Sequence, residues 1–264
     1  MSVVGKIESL WRYPVKSMRG EELKEAFVGF SGIYGDRIFA FKSSGGRLGF
    51  PYLTARELEE MLLYSPKFRY SNKSTMPPDL MHAEKQGPGL NPPFAEFSDL
   101  SVDVSTPYGE VLPIDDFKLL RALSERVGGG HVLTLLRSHR AMTDCRPISL
   151  FSIQTVRYFS KNIGTAVDKR RFRANIYVDL SSDQSFHENS FVGQTLRIGS
   201  KVAISIRERD PRCKMITLDP DTAESMPEIL QRVLENHGGM AGVYGAVLIE
   251  GMVRVGDNIE LLVD

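Results

Sequence analysis

Cysteine, histidine and excess charge of either sign are scarce in this 264-residue sequence. Its two cysteines, Cys145 and Cys213, are too few for a disulfide framework and suit a reducing compartment, so each thiol is judged by itself. Lys plus Arg total 33 and Asp plus Glu total 33, giving a formal net charge of zero. That balance argues against a broad nucleic-acid surface or an anionic-membrane surface, both of which favour net positive charge. No stretch approaches the roughly 18 apolar residues of a membrane span, and Lys6 and Glu8 interrupt the start where a signal peptide needs its apolar run. A cytoplasmic protein without a membrane span is the expectation.

The five histidines, at 82, 131, 139, 187 and 237, form no His-x-x-x-His pair, and there is no Cys-x-x-Cys, so a conventional zinc site is not expected. GQTLRIGSK at 193–201 has the wrong glycine spacing and residue order for a phosphate-binding loop. Gly239, Gly242 and Gly245 lack the Gly-x-Gly opening of a dinucleotide fingerprint and lead into an apparent strand.

What is present is mostly strand. Val3–Tyr13 and Ile33–Phe41 are rich in β-branched and aromatic residues, as are Ala174–Leu180, Thr195–Ile198, Val202–Ile206, Val243–Ile249 and Val253–Val263. Val102–Leu112 reads as a hairpin around Thr106–Gly109. Thr54 and Glu57 form a capping box before Leu58, Met61 and Leu62, which predicts a short helix. Asp116 caps a second helix that ends at Gly128, Ser152–Ile163 a third that ends at Gly164, and Pro227–His237 a fourth that ends at Gly238. Residues 71–93 hold five prolines and read as a long surface loop. Strands outnumber helices without alternating with them, which disfavours a doubly wound parallel sheet and favours two β-rich units, one of them a closed barrel.

Cys213 sits in RERDPRCKMITLDPDT among Arg207, Arg209, Arg212 and Lys214. Cationic neighbours stabilise the thiolate, the form that attacks or ligates a soft metal. A small packed thiol is the other reading of the same position. Lys16 and Ser17 in YPVKS, and Arg37 in GDR, combine charge and hydroxyl at strand ends, where they suit an oxyanion or serve as surface charges. Arg170, Arg171 and Arg173 with Asn175, in DKRRFRANIYVD, make another cationic cluster or a solvated turn. Asp144 and Ser149, in TDCRPISLFSIQTV, precede a helix and also suit turn and cap roles. Together these residues describe a neutral protein with local cationic sites and one thiol, suited to an anionic, sulfur-liganded cofactor.

Seven segments in order resemble the MOSC proteins in their two-part form, in which an N-terminal β-rich domain precedes the MOSC domain. They are YPVKS at 13–17, GDR at 35–37, TAR at 54–56, DCRPISL at 144–150, FRANIYVD at 172–179, PRCKMITLDPDT at 211–222 and GVYGAVLIEGMVRVGD at 242–257. The resemblance implies a β-rich α+β protein: a small N-terminal β-rich domain at 1–95, then a MOSC-type β-barrel with peripheral helices at 96–264. It implies a molybdenum cofactor, molybdopterin with its metal, with Cys213 as both catalytic residue and metal ligand. Lys16, Ser17, Arg37, Arg173 and Asn175 then contact the pterin and its phosphate, with Asp144 and Ser149 as further contacts. The implied activity is reduction of small N-hydroxylated substrates. The chain shows no electron-transfer or pyridoxal-phosphate domain, so a separate ferredoxin- or flavin-type partner is expected to supply electrons. The competing expectations are a sulfur carrier or cofactor-delivery module using a Cys213 persulfide, and a MOSC protein that has lost its cofactor. Ala174, where the family often has proline, and Ala223, where it commonly has glycine, depart from the pattern.

Overall fold

The computed structural model describes residues 2–78, 80 and 95–262. In chain order the strands are β1 Ser2–Arg12, β2 Glu21–Leu23, β3 Glu25–Gly29, β4 Gly32–Ile33, β5 Phe39–Arg47, β6 Phe50–Tyr52, β7 Ser65–Phe68, β8 Val102–Ser105 and β9 Val111–Pro113. They continue as β10 Leu133–Arg137, β11 Ile148–Ser152, β12 Ile176–Leu180, β13 Thr195–Ile198, β14 Val202–Pro211, β15 Met240–Ile249, β16 Gly251–Arg254 and β17 Asn258–Leu262. The helices are α1 Ser71–Ser74, α2 Phe117–Val127, α3 Ile153–Ile163 and α4 Pro227–His237. The chain forms two compact units. One holds the residues up to Arg12, Gly20–Ile33 and those from Thr143 onward; the other holds Tyr13–Arg19 and Tyr34–Met142.

The first unit is a closed seven-stranded barrel in the order β12-β11-β15-β14-β13-β17-β1, closed by β1 pairing back to β12, with β2 appended to β1. All its pairings are antiparallel except β11 with β12, which are parallel and joined through α3, because a parallel pair needs a crossover. Gly5 lies at the seam, opposite Leu180 on one side and Ile259 on the other. A Cβ there would lie 2.5 Å from the Asp179 carbonyl oxygen, so the closure requires glycine.

Alternation sorts the barrel strands into two cores. Ile148 and Leu150 of β11, and Ile176 and Val178 of β12, join Leu196, Ile204, Val243 and Ile259 in one cluster. Phe151 and Tyr177, from the opposite faces of the same two strands, pack with Phe159, Phe172, Ile229 and Val233 beneath α3 and α4. Each such side chain, once buried, contributes about 1.5–3 kcal/mol. Caps end the helices, at Asp116, Gly164 and Gly238 as the sequence predicts and at Ser152, which was expected as the first helical residue and is the N-cap. Asp116 accepts from Lys118 N at 2.8 Å, Ser152 accepts from Thr155 N at 3.1 Å, and Gly164 and Gly238 take left-handed conformations.

The second unit contains the sheets β10-β5-β6 and β7-β8-β9, the latter including the expected hairpin. Its buried residues include Tyr13, Val15, Phe39, Phe41, Leu119 and Leu123.

Four local expectations are corrected. The strand expected at Ile33–Phe41 is broken by a turn, where Gly35 and Arg37 take φ of 78° and 47° and the buried Asp36 carboxylate accepts Tyr13 N. The run expected at Val253–Val263 is, through Leu262, two strands, split where Gly256 takes φ 90° and Asp257 accepts Arg254 N, and residue 263 lies outside the described residues. The Thr54–Glu57 pair forms, but it closes a turn, and the helix after it is a 3-10 turn at Glu59–Leu63. Of the loop expected at 71–93, Ser71–Ser74 form α1, while residues 79 and 81–93 lie outside the described residues.

Candidate functional site

In the second unit, Lys16, Ser17 and Arg37 are carried by the Tyr13–Arg19 segment and the turn before β5. Val15 bridges Phe39, Lys16 N donates to Phe39 O at 2.8 Å, and Arg37 N donates to Tyr13 O at 2.6 Å. The Lys16 ammonium donates to Met142 O at 2.9 Å and faces the rings of Phe50 and Tyr52 at 5.2 and 5.0 Å. Arg37 O accepts from Met142 N at 2.9 Å, so Lys16 and Arg37 hold the same residue through its two backbone groups. The Arg37 guanidinium pairs with Asp36 at 2.5 Å and lies over the Tyr13 ring at 4.6 Å. Its charge is thus oriented by a buried carboxylate and an aromatic face. Ser17 is buried, with φ of 67°.

In the first unit, Ser149 on β11 and Asn175 at the start of β12 are joined. Asn175 Oδ1 accepts from both the amide and the hydroxyl of Ser149, each at 3.2 Å, and Asn175 Nδ2 donates to Trp11 O at 3.3 Å. Asn175 is 1% exposed, and its amide ties β1, β11 and β12 together. Asp144 is exposed, next to Cys145. The arginine cluster divides. Arg170 pairs with Asp168 at 2.6 Å and Asp221 at 2.5 Å, and Arg171 donates to Thr217 O at 2.6 Å and Asp219 at 2.8 Å. Burial draws the Arg171 guanidinium below its ordinary value, with Asp219 opposing. These contacts fasten the 3-10 turn at Lys169–Phe172 to the Asp219–Asp221 segment, and Arg173, which ends that turn, takes φ of 52°.

Cys213 is half-buried and opens the 3-10 turn Lys214–Thr217, its carbonyl accepting from Ile216 N at 3.2 Å. The other thiol differs. Cys145 is exposed and donates to Glu208 Oε1 at 3.3 Å; partial burial and that carboxylate push it up. Arg146 in turn holds Glu208 below the usual carboxylate range. Sequence reasoning missed how many cations are already occupied: Arg212, read as a flanking charge for Cys213, turns inward and pairs with Asp210 at 2.8 Å. It also missed Met142, which acts through its backbone and so leaves no signal in residue type.

Among the described residues, no three His, Cys, Asp or Glu side chains come together as a metal-binding group. No helix among them is long and apolar enough to cross a membrane. The MOSC domain family model matches residues 137–260, and the MOSC N-terminal beta barrel domain model matches residues 4–104. Mitochondrial amidoxime reducing component 2 of Macaca fascicularis is 25% identical over 294 aligned positions, covering 98% of this chain and 84% of that protein. The Bos taurus protein of the same name is 23% identical over the same coverage. Among solved structures, the YuaD protein from Bacillus subtilis aligns with a TM-score of 0.45 at 15% identity, covering 98% of this chain and 95% of that one.

Proposed function

The chain belongs to the MOSC domain family in its two-domain form, and on that premise we propose that it is a molybdenum-cofactor-dependent reductase of small N-hydroxylated compounds, with Cys213 as the protein's ligand to the metal. The relationship to the amidoxime reducing components supports the reaction class. The observation that carries the reading is backbone strain. Among the described residues five non-glycine positions take positive φ, and three of them are Ser17, Arg37 and Arg173. Such conformations cost on the order of 1–3 kcal/mol each and concentrate where a ligand is held.

The donor set fits the group. One thiol offers a single soft ligand, so a metal at Cys213 would arrive with its other ligands, as molybdenum does in its pterin dithiolene. As cofactor contacts we propose Lys16, Ser17 and Arg37 in one unit and, separately, Arg173, Ser149 and Asn175 in the other, cations and hydroxyls that suit a phosphate and an amide that suits a pterin. Asp144 is a further contact. When bound, the cofactor supplies two-electron redox chemistry at an oxygen acceptor. The net reaction takes an N–OH group, two electrons and two protons to N–H and water. The protein's own part is to fix the cofactor, orient the substrate and accept electrons from a separate ferredoxin- or flavin-type partner.

The test is molybdenum and pterin analysis of protein made in a cofactor-producing host, with Cys213→Ser beside it. Stoichiometric molybdenum that disappears in the variant is expected. Molybdenum retained in the variant overturns the ligand assignment. Metal-free parent protein carrying an extra sulfur on Cys213 overturns the reductase in favour of a carrier. Loaded, chemically reduced protein that leaves a model amidoxime unreduced overturns the activity.

A further inference from the structure

Arg212 immediately precedes Cys213, yet its side chain is only 7% exposed and its partner Asp210 3%. Every polar group of the guanidinium meets the protein interior. Nε donates to Ala241 O at 2.7 Å and Nη1 donates to Phe172 O at 2.8 Å, while Nη2 lies 2.8 Å from Asp210 Oδ2 as an ion pair without a directed hydrogen bond. The backbone amide of Arg212 donates to Gly239 O at 2.8 Å. Phe151 and Phe172, stacked with centroids 4.1 Å apart, lie 5.3 and 5.6 Å from the guanidinium carbon. Room for this arrangement comes from Gly242, at φ 78°, where a Cβ would lie 2.9 Å from Arg212 Nη2 and 2.6 Å from the Phe151 ring.

The three anchors belong to three segments of one unit: the end of β14 that leads into Cys213, the residue before Arg173, and the start of β15. We propose that Arg212 is a positioning residue that holds the Cys213 thiol and the Arg173 turn as one preformed arrangement. A planar fork with several fixed donors suits this task, because it sets orientation as well as distance. A packing role alone asks only for volume between the two phenylalanine rings. A link from residue 212, next to Cys213, to the carbonyl of residue 172 asks for the fork. The purpose of the arrangement rests on the reading of Cys213 as a ligand, but the geometry of the link does not.

The test uses the full chain with Cys145→Ser, so that Cys213 is the sole thiol. Iodoacetamide alkylation of the folded protein, made in a host that lacks the cofactor, is followed up to the high-pH plateau where Cys213 is fully thiolate, and the plateau rates are compared for the parent, Arg212→Lys and Arg212→Met. Freed from the clamp, Cys213 alkylates about tenfold faster in the Met variant with near-UV circular dichroism unchanged, and the Lys variant falls between. A folded Met variant within about twofold of the parent overturns the proposal, because loss of packing alone lowers the melting temperature without moving native-state reactivity. If the Met variant fails to fold, Asp210→Asn decides: it keeps the guanidinium and loosens one anchor, so a rate two- to fivefold above the parent, on the order set by a small displacement, supports the clamp and an unchanged rate overturns it. Molybdopterin content is measured in parallel on protein from a cofactor-producing host. A cofactor-free parent counts against the proposed function while the alkylation rates still decide on Arg212; a loaded parent with equally loaded Arg212→Lys counts against the clamp alone.

Discussion

A single oxygen of Asn175 accepts both the backbone amide and the hydroxyl of Ser149, and the Ser149 hydroxyl in turn accepts the Asn175 amide at 3.1 Å. This closed pair sits where the parallel strands β11 and β12 begin, and it is buried. Replacing Asn175 by Ala leaves the Ser149 groups without their acceptor and is expected to destabilise by about 2–3 kcal/mol; Ser149→Ala, which removes both bonds of the hydroxyl but leaves the Asn175 backbone amide its bond to Ser149 O, costs about 1 kcal/mol. The two do not add: a double-mutant cycle by urea unfolding returns a coupling of about 1 kcal/mol, and additivity would contradict the pair.

Ala223 takes φ of 61°, with its amide donating to Asp219 O at 2.9 Å. A left-handed alanine is strained by roughly 1–2 kcal/mol, part of which glycine returns as chain entropy in the unfolded state. Ala223→Gly is therefore expected to stabilise by about 0.5–1 kcal/mol, seen as a rise in melting temperature. An unchanged or lowered value contradicts this.

His237, near the end of α4, stacks on Phe186 with ring centroids 3.7 Å apart, and its Nε2 is buried without a hydrogen-bond partner. Burial holds the imidazole below its ordinary value, so the folded state favours the neutral ring. The unfolded chain then binds more protons, and stability falls as pH drops through the ordinary histidine value of about 6.5. His237→Phe is expected to flatten that part of the pH–stability curve measured by denaturant titration. A variant curve parallel to the parent's contradicts it.

Gly5 meets backbone on the side where a Cβ would be built, with Asp179 O at 2.5 Å and the Leu180 Cα at 2.9 Å. Because backbone in a closed barrel yields less than a side-chain tip, Gly5→Ala is expected to cost about 2 kcal/mol or more. Gly49, which has open space around it, takes a positive φ of 80°, so Gly49→Ala is strained by conformation alone, by about 1–2 kcal/mol. Chemical denaturation of the two variants separates crowding from conformation.

Helix ends were legible in the sequence because capping is local: Asp116, Gly164 and Gly238 each act on residues within one turn, and the N-cap Ser152 was placed one position inside its helix. The turns at Gly35–Arg37 and Val255–Asp257 were hidden, since their flanks are rich in strand-forming residues and what breaks the first of them is a buried carboxylate, Asp36, serving Tyr13. The barrel pairing of β1 with β12 and β17 was equally hidden, because its partners lie far along the chain and no local spacing encodes them. At the candidate site, residue types supplied the thiol and the cations. They did not reveal which cations are taken: Arg170, Arg171 and Arg212 carry structural pairs, while a backbone residue, Met142, joins Lys16 to Arg37.

The closure of the barrel by β1 also sets an order of events during synthesis. Ser2–Arg12 leaves the ribosome long before its partners Ile176–Leu180 and Asn258–Leu262, whereas every segment of the other unit has been made once Met142 emerges. The other unit is thus the earlier to be completed in time, and β1, which can pair early with β2 only through Leu10–Arg12, keeps the rest of its edges open until β12 and β17 are made. Non-local pairing of this kind folds slowly. Among the described barrel strands, β1 has the longest interval between its own synthesis and that of its last partner, β17.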